Sequence, residues 1–291
     1  MAHYPAYETL RVSEAAPHVL HVELSRPEKR NSMTSQFWTD VRNFFAALEE
    51  DGEVRAVVLS GQGPLFTAGL DMSSGGLAGS GGADKEEAAR LDLARRALNI
   101  RRTGKLWQQS FDNIESCGKA VIACVHSGCW GAGVEMISAC DIRFCTSDAY
   151  YVMKEVDIGM AADVGGLQRF PKLVGNQSLV RELALSGRRL GAREAFQHGF
   201  VSQLFDDKDQ MMAAALELAG QIAAKSPVAT LGVKRFLNYA RDHSVEESLD
   251  YAITWNMSML QSADLMKAGA AMMAKQTPTF SNLSGAPRSK L

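Results

Sequence analysis

Two stretches of this chain repeat one pattern, and that pattern limits the folds open to it. Arg55–Ser60 reads RAVVLS and runs into the glycine-rich GQGPLFTAGLDM. Lys119–His126 reads KAVIACVH and runs into SGCWGAG, then the helical VEMISAC. Short apolar runs rich in β-branched residues and bounded by glycine read as buried strands. A third, DIRFCTS, begins at Asp141. Strand, glycine loop and helix in repetition imply an α/β chain with its loops gathered at one edge. Ahead of these units the sequence predicts strands at Tyr7–Ser13 and His18–Leu24, turned by Ala16-Pro17. A helix follows Ser32 or Thr34, with Phe37, Val41, Phe44, Phe45 and Leu48 at helical spacing.

The loops are where chemistry is expected. Gly61, Gly63 and Gly69 permit tight turning and close backbone approach, and such a loop presents backbone N–H groups to a ligand. It carries neither a phosphate-loop nor a dinucleotide fingerprint. Between Val121 and Lys172, three carboxylates, Glu135, Glu155 and Asp163, stand among glycines and apolar residues. A carboxylate so placed is solvated, hydrogen-bonded or shifted in pKa, which marks this stretch for acid–base work. Plainer readings stand beside that one: Asp163 as a cap or a partner of Arg169, and Glu155 as a partner of Lys154 or Arg143. Asp141 and Arg143 read as an ion pair or turn contacts. Arg26, Lys29 and Arg30 form either a solvated turn or a contact to a phosphorylated ligand.

Composition removes several classes. A net charge of −2 gives no basic field for nucleic acid or a membrane surface. No run approaches the ~18 apolar residues of a membrane span, and the first residues lack the pattern of a secretory signal. Cys117, Cys124, Cys129, Cys140 and Cys145 alternate with apolar residues and read as buried free thiols, not as a metal site. Ser73–Gly82 is low-complexity, and Ala83–Glu115 reads as a long amphipathic helix, either packing or a lid. Helices are expected at Asn176–Leu185, Ala192–His198 before Gly199, Asp209–Lys225, Val228–Arg241 and Val245–Gln261, with a strand at Val201–Phe205. Residues 1–208 are thus read as the core with the active site and 209–291 as C-terminal helices with a flexible tail. The methionine-rich faces (Met257, Met259, Met266, Met272, Met273) read as core or subunit contacts. The final Ser289-Lys290-Leu291 matches a peroxisomal address read by an import receptor.

The segments FTAGLDM, HSGCWGAGVEMISACDIRF and KEVDIGMAADVGGLQRFPKLVG resemble the enoyl-CoA hydratase/isomerase (crotonase) superfamily over nearly the whole chain. KEVD, AADVG-x-LQR, GNQSLV, RDHSV and WNMSMLQ are similar to its branch of Δ3,5-Δ2,4-dienoyl-CoA isomerases. The resemblance implies a crotonase spiral of repeated ββα units with a C-terminal helical oligomerisation region, assembled as a homotrimer or homohexamer. It implies an acyl-CoA thioester substrate and no metal or redox cofactor, coenzyme A being part of the substrate. The backbone N–H groups of Leu70 and Ala132 would hold the thioester oxygen, the alanine methyl tightening a position where relatives often carry glycine. Asp163 would be the C2 base and Glu155 the C6 acid, sharing a water-poor pocket with the substrate, and Glu135 would be a third catalytic carboxylate. Arg26, Lys29, Arg30, Ala68, Gly69 and Asp71 would bind substrate or coenzyme A, with Lys275 of a neighbouring subunit a further contact. Asp163 favours isomerisation over the alternative, a 2-enoyl-CoA hydratase using Glu135 and Glu155. A non-catalytic acyl-CoA- or RNA-binding relative is a further alternative, against which stand all three carboxylates and the near-neutral charge.

Overall fold

Alternation along the central strands decides the layering. In β3 (Ala56–Gly61), Val57 and Leu59 face one core while Ala56 and Val58 face a second; in β4 (Ala120–Val125), Val121, Ala123 and Val125 join the first, Ile122 and Cys124 the second. Side chains alternate across a strand, so two strands with no polar face must be covered on both sides. The computed structural model describes residues 4–74 and 91–283; the sequence-predicted loop beyond Ser74, the first turns of the helix after it and the terminal Ser289-Lys290-Leu291 lie outside these.

β1 (Leu10–Ala16) and β2 (Val19–Leu24) form an antiparallel pair. β2, β3, β4, β6 (Ile142–Thr146) and β9 (Gln203–Phe205) then run parallel, giving a six-stranded sheet in the order β1-β2-β3-β4-β6-β9. Leu20 lies opposite Val57, and Val57 opposite Val121. A small second sheet joins β5 (Gly128–Trp130), β7 (Tyr150–Val152) and β8 (Leu190–Gly191). The first strand is shifted from the expected Tyr7–Ser13, because pairing with β2 puts Leu10 opposite Leu24.

The first core lies under α1 (Ser35–Glu50), α2 (Leu93–Ser116) and α3 (Ala132–Ser138). Phe37, Val41, Phe44, Phe45 and Leu48 of α1 are all buried there. α4 (Gly166–Leu173), α5 (Gln177–Ser186) and α6 (Ala192–Gln197) follow along the chain. The second core is closed by α7 (Lys208–Ala223), whose Met211, Ala215, Ala219 and Ala223 recur every four residues and let the helix lie close on the sheet. The first C-terminal helix is therefore packed on the core sheet. α8 (Pro227–Ala240), α9 (Val245–Met259) and α10 (Ala263–Met273) stand beyond it, and α9 buries none of its residues. All five cysteines are buried free thiols. No helix among the described residues is long and apolar enough to cross a membrane.

Candidate active site

The two glycine loops meet at the ends of β3 and β4. Thr67 bridges Cys129 in parallel register, its N–H donating to the Gly128 carbonyl and the Trp130 N–H to its own, both at 3.2 Å. The segments leaving that bridge, Gly69-Leu70 and Gly131-Ala132, run side by side. Gly69 has φ +78°, and a Cβ there would stand 2.7 Å from the Trp130 carbonyl oxygen; backbone at that distance leaves room for glycine alone. Among the described residues, neither the Leu70 nor the Ala132 N–H has a hydrogen-bond partner, and both residues line one cleft. Ala132 is also the first residue of α3, where helix N–H groups are unpaired and the dipole favours negative charge. Two free donors at one cleft wall suit a developing oxyanion.

A second layer holds the first loop. The Asn31 side chain, left-handed in backbone and buried, donates to the carbonyls of Gln62 (2.8 Å), Leu65 (3.2 Å) and Phe66 (3.0 Å). Arg26 and Asp71, expected at coenzyme A, are engaged with each other at 3.4 Å; Arg26 also donates to the Ser32 carbonyl and Asp71 accepts from the Ser32 hydroxyl. Hydrogen bonds from Ser73 and Ser32, with Arg26 beside it, hold the Asp71 carboxyl below its usual range despite partial burial. These two residues brace the loop bearing Leu70 and do not line the cleft, whereas Ala68 and Gly69 do. Lys29 and Arg30 are exposed outside it. Asn31 escaped sequence reasoning because three long-range bonds to carbonyls leave no local pattern.

All three carboxylates line the cleft, whose cavity volume is about 140 Å³. Glu135, on α3, is 2% exposed; Glu155, opening a short 3-10 turn at Glu155–Ile158, is 9% exposed. A Cβ on Gly131 would lie 2.9 Å from Glu155 Oε1, so this carboxylate rests against the oxyanion loop. Asp163 is exposed at the rim, so the water-poor setting expected for it belongs to the other two. The plainer pairings do not form. Arg169 binds Asp112 (2.6 Å) and Glu115 (3.1 Å), Lys154 binds Asp157, and Arg143 donates to the Phe200, Ile137 and Cys140 carbonyls. Asp141 pairs with Lys234, not with Arg143.

Burial pushes Glu135 up to about 8, against the Gly166 and Val164 N–H groups that favour its charged form; Glu155 and Asp163 nearby push it further. Burial also raises Glu155, with Asp163 adding to it, and partial burial raises Asp163. Apart from Lys154, the remaining side chains of the wall are apolar, among them Trp38, Met72, Trp107, Trp130, Ile158 and Met160. Trp38 and Trp107 stack at 4.7 Å and 6°. An apolar channel ending in carboxylates and bare N–H groups suits an acyl chain whose reacting end gains and loses protons.

The enoyl-CoA hydratase/isomerase family model matches residues 14–283, and the chain belongs to this family. The mitochondrial Delta(3,5)-Delta(2,4)-dienoyl-CoA isomerase of Mus musculus is 50% identical over 95% of this chain and 84% of its own length. The peroxisomal Delta(3,5)-Delta(2,4)-dienoyl-CoA isomerase of Arabidopsis thaliana is 37% identical over 96% of this chain and 99% of its own. The crystal structure of an enoyl-CoA hydratase from Bacillus anthracis superposes with a TM-score of 0.82, at 24% identity and 94% coverage, which establishes the crotonase fold.

Proposed function

We propose that the chain isomerises 3,5-dienoyl-CoA to 2,4-dienoyl-CoA. The observation that carries this is the carboxylate set: Glu155 and Asp163 line the cleft with Leu70 and Ala132, as does Glu135, which accepts from the Val164 and Gly166 N–H groups. The names and identity of the mouse and Arabidopsis relatives support it. C2 of the substrate lies between the thioester carbonyl and the C3–C4 double bond. Asp163 takes the C2 proton, and the electron pair spreads over a dienolate whose oxygen accepts from the two N–H groups. Glu155 gives a proton to C6, leaving double bonds at C2–C3 and C4–C5. No electrons leave the substrate, so the step calls for no redox cofactor, and the two N–H groups take the charge on oxygen that a metal ion would otherwise hold. Losing one oxyanion donor would cost on the order of 3 kcal/mol of barrier stabilisation.

The test is ultraviolet absorbance of the purified protein with a 3,5-dienoyl-CoA and, separately, a 2-enoyl-CoA. Growth of the conjugated 2,4-dienoyl band, with little hydration of the second substrate, is expected. Hydration without dienoyl conversion would make the protein a hydratase using Glu135 and Glu155. Asp163→Asn should abolish exchange of the C2 proton while acyl-CoA binding persists.

Assembly and destination belong to the same proposal. A second copy, in a homotrimer or homohexamer, is the partner offered to the C-terminal helices. The peroxisome is the destination supported by Ser289-Lys290-Leu291 and the Arabidopsis relative's name, against the mitochondrial name of the mouse relative. The untagged protein with and without that tripeptide, located by immunofluorescence, decides between the two organelles.

A further inference from the structure

The turn that carries Asp163 is gripped from two sides, and neither grip uses the Asp163 carboxylate. From α2, the side-chain amide of Gln108 donates to the Asp163 carbonyl at 2.8 Å. From α3, Glu135 Oε2 accepts from the Val164 N–H at 3.0 Å and the Gly166 N–H at 2.6 Å. The Asp163 carbonyl and the Val164 N–H are the two ends of one planar peptide group. Gln108 and Glu135 therefore hold opposite ends of the same unit, which restrains the backbone from which the Asp163 side chain projects. Gly166 makes the approach possible: a Cβ there would fall 2.6 Å from Glu135 Cγ. The Asp163 side chain itself makes no hydrogen bond or ion pair to another described residue, so its backbone is what sets its reach.

We propose that Gln108 and Glu135 are positioning residues for Asp163, clamping the 163–164 peptide so that the carboxylate meets C2 of the bound thioester. This rests on Asp163 being the C2 base. It assigns Gln108, which no motif marks, a part in the reaction, and it gives Glu135 a task other than proton transfer. A misplacement of about 1 Å at a reacting group can cost ~100-fold in rate, while substrate binding through the oxyanion loop and the apolar wall is untouched.

Gln108→Met keeps side-chain length and helix propensity and removes the donor. In the full-length enzyme it is expected to lower kcat about tenfold, equivalent to about 1.4 kcal/mol. KM should stay within about twofold, and deuterium exchange at C2 should fall in step with kcat. Glu135→Leu is expected to fall further; Glu135→Gln, which keeps an acceptor oxygen, should lose less than Glu135→Leu. A Gln108→Met enzyme with wild-type kcat and C2 exchange overturns the clamp, as does a loss confined to KM. Asp163→Asn in the same assay separates the two ideas. If it is inactive while Gln108→Met is normal, the base stands and the clamp falls; if it exchanges C2 normally, both fall.

Discussion

Three carboxylates share one cleft, and their surroundings bury them to different degrees. Glu135 has the strongest shift, from its ordinary 4.5 to about 8, because burial outweighs two backbone N–H donors. A carboxyl raised on folding keeps its proton where the unfolded chain has released it, so each rise in pH between about 4.5 and 8 favours unfolding. Glutamine copies the neutral form and still accepts from Val164 and Gly166. Glu135→Gln should therefore gain on wild type as pH rises, by at least ~1 kcal/mol, or about 2 °C in Tm, between pH 5 and pH 8.5. Melting curves at both pH values check this, and parallel curves would mean that Glu135 titrates normally. Glu155 and Asp163 are also raised. Since the mechanism needs one protonated and one ionised, kcat/KM should follow a bell in pH whose limbs belong to the pair. The apolar neighbours of these residues made them legible in the sequence. Their roles came with the family resemblance, but the grip on the Asp163 turn was not legible, because it depends on Gln108, 55 positions from the carbonyl it binds, and on Glu135 accepting from the Val164 and Gly166 N–H groups.

Elements are joined by fewer, stronger contacts than their ranges suggest. Lys234 of α8 is 7% exposed, and its ammonium donates to the Ile114 carbonyl in the last turn of α2 (3.0 Å), to the Lys119 carbonyl before β4 (2.8 Å) and to Asp141 before β6 (2.8 Å). It satisfies a helix carbonyl that has no partner within its own helix and neutralises a carboxylate that also accepts from the Val121 N–H. Lys234→Met would leave that carboxylate and two carbonyls without their cation, at a cost of about 3 kcal/mol, roughly 6–12 °C in Tm. Thermal melting decides the matter, and a drop below about 2 °C would show that desolvating the pair had cancelled its attraction. Apolar runs of strand length revealed β3, β4 and β6, and Pro227 marked the start of α8. The three-residue β5 and β7 and the two-residue β8 were invisible, since strands so short exist only through their pairing.

At the scale of the whole molecule, one copy leaves much apolar surface uncovered. Leu237 of α8, Leu249, Ile253 and Met257 of α9, and Met266 and Met273 of α10 are more than half exposed, Met273 by 85%. The sequence showed amphipathic helices with methionine-rich faces, but it could not tell core from subunit contact, because burial by one's own chain and by a second copy select the same residues. The structure removes the first option for Met257, Met266, Met272 and Met273. A large apolar patch on a folded surface marks an interaction site, and α9 has no fully buried residue, its Tyr251 and Trp255 resting half-buried on Phe236 and Tyr239 of α8. In a closed ring each copy would cover the helices of the next. Leu249→Asp with Ile253→Asp places two charges on that face, and desolvating an unpaired charge at an interface costs several kcal/mol. Sedimentation velocity at micromolar concentration should show a trimer or hexamer for the wild type and a smaller species for the double variant. A monomeric wild type would end the assembly proposal. An unchanged assembly in the double variant would place the contact on some other face and leave the exposed helices to a different partner.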